Sequence, residues 1–304
     1  ASTSCGHSCA TTGLINPHLP SPSLLDNRIK SRRLFAGISS LGLGSLLAAC
    51  AGTEGTATVT TSTGARVTPT ATTAKDLTAL FTGAGTCKLT STTTQGPYYF
   101  DADKIRSDIR EDRQGVRLRV AIKVQDSETC KPLGNAVVEI WHCDAAGLYS
   151  GAEAQSTGGG GGNPPSGNPP GNPPSGGTGD GGGDMADLTP TDDKRYLRGA
   201  QVTNSDGIVE FTTIWPGWYR GRTIHIHAMV HFSNQRVLTT QLMFDESLNS
   251  KVMAMSPYSG HSGRDTFNDN DNIYDDSMLM KVTKEDDGYL GVIVFSADSD
   301  KDGS

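Results

Sequence analysis

The sequence predicts an all-β fold, an antiparallel β-sandwich with long loops and few, short helices. Three observations lead there. Val116, Leu118, Val120, Ile122 and Val124 alternate with Arg117, Arg119, Ala121, Lys123 and Gln125, the two-residue period of a strand with one face in a core. Further strand-like runs occupy 136–143, 208–213, 218–230, 236–244 and 290–295, with no helical period between them. Turn chemistry punctuates the series at Pro132-Leu133-Gly134, Ser205-Asp206-Gly207 and Asp287-Gly288. Many short strands so spaced bury their apolar faces as two packed sheets. Residues 101–110 are one expected short helix.

From the N-terminus, residues 1–49 read as an export signal. Ser31-Arg32-Arg33-Leu34-Phe35 is a twin-arginine pattern, a weakly apolar Gly/Ser-rich run follows, and Leu47-Ala48-Ala49-Cys50 resembles a lipobox, whose cysteine would carry lipid. The apolar run is too short for a comfortable bilayer span. An exported protein, anchored through Cys50 at the periplasmic face of a membrane or the cell surface, is the expectation. Residues 50–80 are rich in Thr, Ala and Gly and read as a flexible tether. The folded domain is expected over 81–304, with a disordered insertion at 157–183, where a Gly run precedes Asn-Pro-Pro units at 163, 168 and 172.

The formal net charge of −7 argues against a nucleic-acid partner, which needs a basic face. Removing residues 1–49 leaves 22 basic against 32 acidic residues and sharpens that exclusion. Cys5 and Cys9 belong to the signal and Cys50 to the anchor, leaving Cys87, Cys130 and Cys143 in an oxidising compartment where a disulfide is permitted. Cys87 and Cys130 flank connected loops and form the expected pair.

Chemistry concentrates at WYRGRTIHIHAMV, residues 218–230. In a strand the side chains at i and i+2 leave one face. Ile224, Ile226, Ala228 and Val230 then face the core, while His225 and His227 stand side by side on the other face. A His-x-His pair alone is a weak signal. Tyr219 just upstream, and Tyr149 after the strand that ends in Trp141-His142, change its meaning. Phenolate is a hard, strongly donating anion that suits ferric iron better than Cu(I) or Zn(II).

QGPYYF (95–100), VVEIWHCDAAGLYS (137–150), YLRGAQVTNSDGIVEFTT (196–213) and WPGWYRGRTIHIHAMV (215–230) together resemble the intradiol ring-cleavage dioxygenases, most closely their exported, lipoprotein-type branch. The similarity runs over roughly residues 87–296. It implies non-haem Fe(III) held by Tyr149, Tyr219, His225 and His227, with Tyr219 the axial ligand that leaves when substrate binds. It implies that Arg222 stabilises negative charge developing on the substrate ring, and that Gln241 lies near the ring and oxygen. The reaction implied is cleavage of a small aromatic diol by O₂ between its two hydroxylated carbons, giving a cis,cis-muconate. Arg198 is either a pocket wall or the partner of an acid, and the sequence leaves both open. Gln95 stands where relatives often have Glu. The helical dimerisation region of classical relatives has no counterpart, so no oligomeric state is implied. FNDNDNIY, 267–274, reads as structural.

The rival reading is a metal-free surface-binding module, since the turn rhythm also suits transthyretin-like and adhesin-type sandwiches. Such a module explains the strands and the tether, but not Tyr149, Tyr219, His225 and His227 together.

Overall fold

The computed structural model describes residues 59–60, 66–67, 77–82, 87–156 and 186–303. The expected export signal, most of the expected tether and the expected insertion at 157–183 lie outside these residues. Within the expected tether, β1 (Val59–Thr60) pairs antiparallel with β2 (Arg66–Val67). The remaining strands are β3 (Arg117–Asp126), β4 (Val137–Trp141), β5 (Arg198–Val202), β6 (Ile208–Ile214), β7 (His225–Phe232), β8 (Gln235–Met243), β9 (Lys281–Glu285) and β10 (Gly288–Ala297). They form two four-stranded sheets, β6-β3-β10-β9 and β5-β4-β7-β8.

The alternation dictates what packs. Leu118, Val120, Ile122 and Val124 of β3 meet Val138 and Ile140 of β4 and Ile226, Ala228 and Val230 of β7 in one core cluster. Each such side chain, when fully buried, contributes about 1.5–3 kcal/mol relative to exposure. Ser233 and Asn234 join β7 to β8 with φ of 49° and 64°, the left-handed pair that a tight two-residue hairpin requires. The hairpin fixes the register that sets His227 opposite Gln241.

Three expectations change. The sandwich is not wholly antiparallel: β10 runs parallel to β3 from Gly288↔Arg117 to Ala297↔Asp126. Residue alternation reports a buried face and is blind to strand direction. Residues 101–110 are not helical, because their backbone is spent on the sheets. The N–H groups of Arg106 and Ile109 donate to the carbonyls of Ala200 and Thr212, and Asp103 has φ 51°. The strand expected over 218–230 begins only at His225, so Tyr219 and Arg222 sit on a loop.

Two further features add to the sequence reading. The folded part starts before residue 81, for Leu77 and Phe81 pack on Ala121, Ile208 and Leu290. An α-helix, α2 (Glu246–Met253), follows β8, with Asp245 accepting from the N–H groups of Ser247 and Leu248 as its cap. Cys87 and Cys130 form the expected disulfide, with Cα atoms 5.3 Å apart, and Cys143 is a buried free thiol. No helix among the described residues is long and apolar enough to cross a membrane.

Candidate active site

The outer face of β4 and β7, away from the core, carries Glu139, Trp141, His227 and Met229, with Met229 opposite Glu139 and His227 opposite Trp141. The His227 ring lies flat on Trp141, centroids 5.0 Å apart and planes within 3°. Gly96 packs against the same ring: a Cβ there would stand 3.0 Å from His227 Cε1, tighter than side chains normally tolerate. The His225 ring is fixed differently. Its Nδ1 lies 2.7 Å from the Thr223 carbonyl oxygen, which can only accept, so Nδ1 carries the proton and Nε2 presents a lone pair.

The two tyrosines come from loops. Tyr149 ends a tight turn organised by Asp144, whose Oδ1 accepts from the N–H groups of Ala146 and Leu148. Ser156 Oγ, from the one-turn helix α1 (Glu153–Ser156), accepts from the Tyr149 N–H at 3.0 Å. Tyr219 follows Trp215-Pro216-Gly217-Trp218, whose Gly217 N–H donates to the Asp144 carbonyl at 3.1 Å. The two loops meet backbone to backbone. A Cβ on Gly147 would collide with the Trp218 carbonyl oxygen, and one on Gly217 with the carbonyls of Asp144 and Ala145.

These supports bring Tyr149, Tyr219, His225 and His227 together. The Tyr219 hydroxyl lies 3.0 Å from His225 Nε2, which lies 3.1 Å from His227 Nε2. The Tyr149 and Tyr219 rings meet edge-on at 5.8 Å, and Tyr149 and His227 at 6.2 Å. Tyr149 and both histidines are buried, while Tyr219 is half-buried. Tyr149 Oη and His227 Nδ1 have no hydrogen-bonding partner among the described residues. The Tyr219 phenol is nevertheless close enough to act on the ionisation of Tyr149.

Burial, with Arg222 adding to it, holds both imidazoles well below their ordinary pKa; His227 also feels its neighbour His225. They are neutral, the form that ligates a metal. Burial pushes Tyr219 up to about 12, against the opposing pull of Arg222, and Tyr149 well above its usual range. Two phenol oxygens and two imidazole nitrogens converge, with the His225 Nε2 lone pair facing both the Tyr219 hydroxyl and His227 Nε2. An orphaned buried phenol and two facing ring nitrogens fit a hard cation, whose charge would ionise the phenols.

Arg222 lies within electrostatic reach of Tyr219, His225 and His227. It donates to Gln241 Oε1 at 2.5 Å through Nη2 and to Asp271 Oδ2 at 3.0 Å through Nε. Arg222 and Gln241, both singled out in sequence, are thus neighbours. Asp271 was missed: FNDNDNIY, read as structural, supplies a carboxylate directly to Arg222.

Arg198 is not the partner of an acid among the described residues. It is only 1% exposed, stacked 4.0 Å over the Phe100 ring, and pairs with no described carboxylate at salt-bridge distance. It donates to Ser150 Oγ and to the carbonyls of Ser150 and Tyr98, tying 95–100 to the residue after Tyr149. Gln95 donates to Asp187 Oδ1 and accepts from Arg236. Glu139, unremarked in sequence, is held by burial and the neighbouring Asp101 up to about 8, with Tyr99 Oη donating to it at 3.1 Å.

The fold has counterparts among solved structures. An intradiol ring-cleavage dioxygenase from Tetranychus urticae is 31% identical, with a TM-score of 0.58, over 70% of this chain and 96% of that one. The chain belongs to the intradiol ring-cleavage dioxygenase family. The dioxygenase domain of a carbohydrate-binding fusion from Streptomyces sp. SirexAA-E is 26% identical, with a TM-score of 0.45, over 69% of this chain and 97% of that one. Hydroxyquinol 1,2-dioxygenase from Pseudomonas putida DLL-E4 is 17% identical, with a TM-score of 0.45, over 73% of this chain and 70% of that one. No family model and no curated protein matches the chain. Membership makes this intradiol dioxygenase an oxygenase of the ring-cleaving class.

Proposed function

We propose that the protein is a non-haem Fe(III) enzyme that cleaves catechol, or a simply substituted catechol, between its two hydroxylated carbons to give a cis,cis-muconate-type product. The observation that carries this reading is the convergence of Tyr149, Tyr219, His225 and His227 around an orphaned phenol and two facing ring nitrogens. These four residues would hold the iron. When bound, Fe(III) acts as a Lewis acid that draws electron density from a chelated diol and makes its ring reactive toward O₂.

The chain's own groups do the remainder. His225, fixed through Nδ1, and His227, stacked on Trp141 with Gly96 close to its Cε1, would keep their positions throughout. Tyr149, fully buried, would be the permanent oxygen anchor. Tyr219, half-buried on a loop, would be the group that yields its place to substrate, its Oη, once ionised by the metal, able to take one diol proton. The Arg222 cation stabilises negative charge that develops on the ring, and Gln241 holds that cation in place. Arg198 spends Nε and Nη2 on Ser150 and on the carbonyls of Ser150 and Tyr98, over the Phe100 ring, so most of its guanidinium is turned to the protein rather than to a substrate carboxylate, which supports catechol over protocatechuate. Export by the twin-arginine route and a lipid anchor at Cys50 belong to the same proposal, supported by the order of motifs in residues 31–50.

Purified protein tests the reading. A burgundy tyrosinate-to-Fe(III) charge-transfer colour, about one iron per chain, and O₂ uptake with catechol yielding a muconate are expected. A colourless, metal-free protein would favour the binding module. Strong preference for protocatechuate would overturn the substrate assignment, and an extradiol semialdehyde product the mechanism as well.

A further inference from the structure

The charge holding Arg222 comes from a distant part of the chain. Asp271 lies 49 residues beyond Arg222, in the loop between α2 and β9, and its side chain has no solvent exposure. Its Oδ2 accepts twice, from Arg222 Nε at 3.0 Å and from the Thr223 backbone N–H at 2.6 Å. Its Oδ1 accepts from the Ile273 N–H at 2.8 Å, which fixes the carboxylate within its own loop. Thr223 is also the residue whose carbonyl orients the His225 ring. One carboxylate oxygen therefore joins the guanidinium to the residue whose carbonyl orients His225.

The surrounding loop is built to hold that oxygen still. Asn268 Nδ2 donates to the Phe244 carbonyl at 2.7 Å, at the end of β8, and its Oδ1 lies 2.6 Å from Thr223 Oγ1. Arg264 donates to Thr223 Oγ1 and is paired with Glu246 at the start of α2. On its far side Arg222 meets Gln241, which lies opposite His227 across β7 and β8. The fork is thus held at two corners, each in register with one histidine.

We propose that Asp271 is a positioning residue for ring cleavage: it orients the Arg222 guanidinium toward the substrate position and keeps it in register with His225. This rests on the role given to Arg222 above. A flexible cation at the same place would supply charge without direction, whereas a cation held in advance stabilises developing charge without reorganisation. Charge-assisted bonds of a guanidinium to a carboxylate have the directionality this needs, and a lysine does not.

Asp271→Asn keeps the shape and removes the charge. In the iron-loaded protein it should retain iron and the charge-transfer band, while kcat/KM for catechol falls about 10–100-fold, mostly in kcat. Arg222→Lys, which keeps the charge but not the fork, should lose activity to a similar degree. Arg222→Ala with Asp271→Asn should be no slower than Arg222→Ala alone, because the second change acts through the first. A readout independent of activity comes from melting. Arg222→Ala leaves the buried carboxylate unpaired and should lower Tm, and adding Asp271→Asn should restore part of that loss. Wild-type turnover in Asp271→Asn or in Arg222→Lys, beside an inactive Arg222→Ala, would overturn the inference and leave the function standing. Full activity in Arg222→Ala, or a wild-type protein inactive on every diol, would instead remove the reading beneath it. Should Asp271→Asn not fold, Arg222→Lys decides alone.

Discussion

Strand β7 and the two tyrosine loops, 144–149 and 215–222, contribute two ligand-type side chains each to the same cluster, by different means. The histidines hang from a central strand, flanked by β4 and β8, whose opposite face is Ile226, Ala228 and Val230 in the main core. Their spacing is set by the two-residue pleat and cannot drift without moving the core. The tyrosines stand on loops with no sheet register. Asp144 shapes one loop, the Gly217 N–H bonds it to the other, and Gly147 and Gly217 let the backbones touch. The imidazole pair is therefore a fixed base, and the phenol pair an adjustable one. Within the loops the same contrast recurs, with Tyr149 sealed in and Tyr219 half-buried at the edge. On the function proposed above, the phenol that would yield to substrate is the one on the less constrained support.

The largest effect should come from the fixed base. His225→Ala or His227→Ala should abolish iron binding and ring cleavage while far-UV circular dichroism stays that of the wild type, because the core face of β7 is untouched. Iron content at the wild-type level in both variants would refute the shared-site assignment. Next comes the adjustable base, where Tyr149→Phe should cost more iron and more colour than Tyr219→Phe. The latter should keep some iron yet lose turnover about 10–100-fold; the reverse order, read by metal analysis and visible absorbance, would exchange the roles of the two phenols. Smallest is the effect of spreading the loops. Gly147 has φ 83° and no room for a Cβ against the Trp218 carbonyl, so Gly147→Ala should cost about 1–3 kcal/mol in strain. It should lower Tm by several degrees and shift the charge-transfer maximum with iron still bound. A variant unchanged in both would mean that the loop contact does not set the spacing of the phenols.

Local periodicity alone made some of this legible. The alternation in β3 and β7 identified the core faces, and the i, i+2 spacing put His225 beside His227 before any partner strand was known. Pattern also marked the Ser205-Asp206-Gly207 turn, where Gly207 has φ 74° against the Val124 carbonyl. The direction of β10 escaped, since pleat alternation is the same in parallel and antiparallel strands. The helix expected at 101–110 failed because its amide groups found longer-range acceptors on β5 and β6. Tertiary pairing there overrode local propensity.

The four ligand-type residues could be named from the order of motifs, because each sits in a short, distinctive neighbourhood. What the sequence could not contain was their mutual geometry, or the support that arrives from far along the chain. Asp271 is one acid in a run of Asp and Asn, and nothing within FNDNDNIY separates it from Asp269. Folding alone brings its buried Oδ2 to Arg222 and to Thr223, the residue whose carbonyl orients His225. Arg198 likewise reads in sequence as a pocket wall or the partner of an acid, and only packing places it over Phe100, bonded to carbonyls of two separate segments. Residue type and spacing fix which groups can do the chemistry, since donor identity is local and covalent. Orientation, desolvation and charge pairing depend on distances between parts of the chain far apart in sequence, and only the packed sandwich decides those.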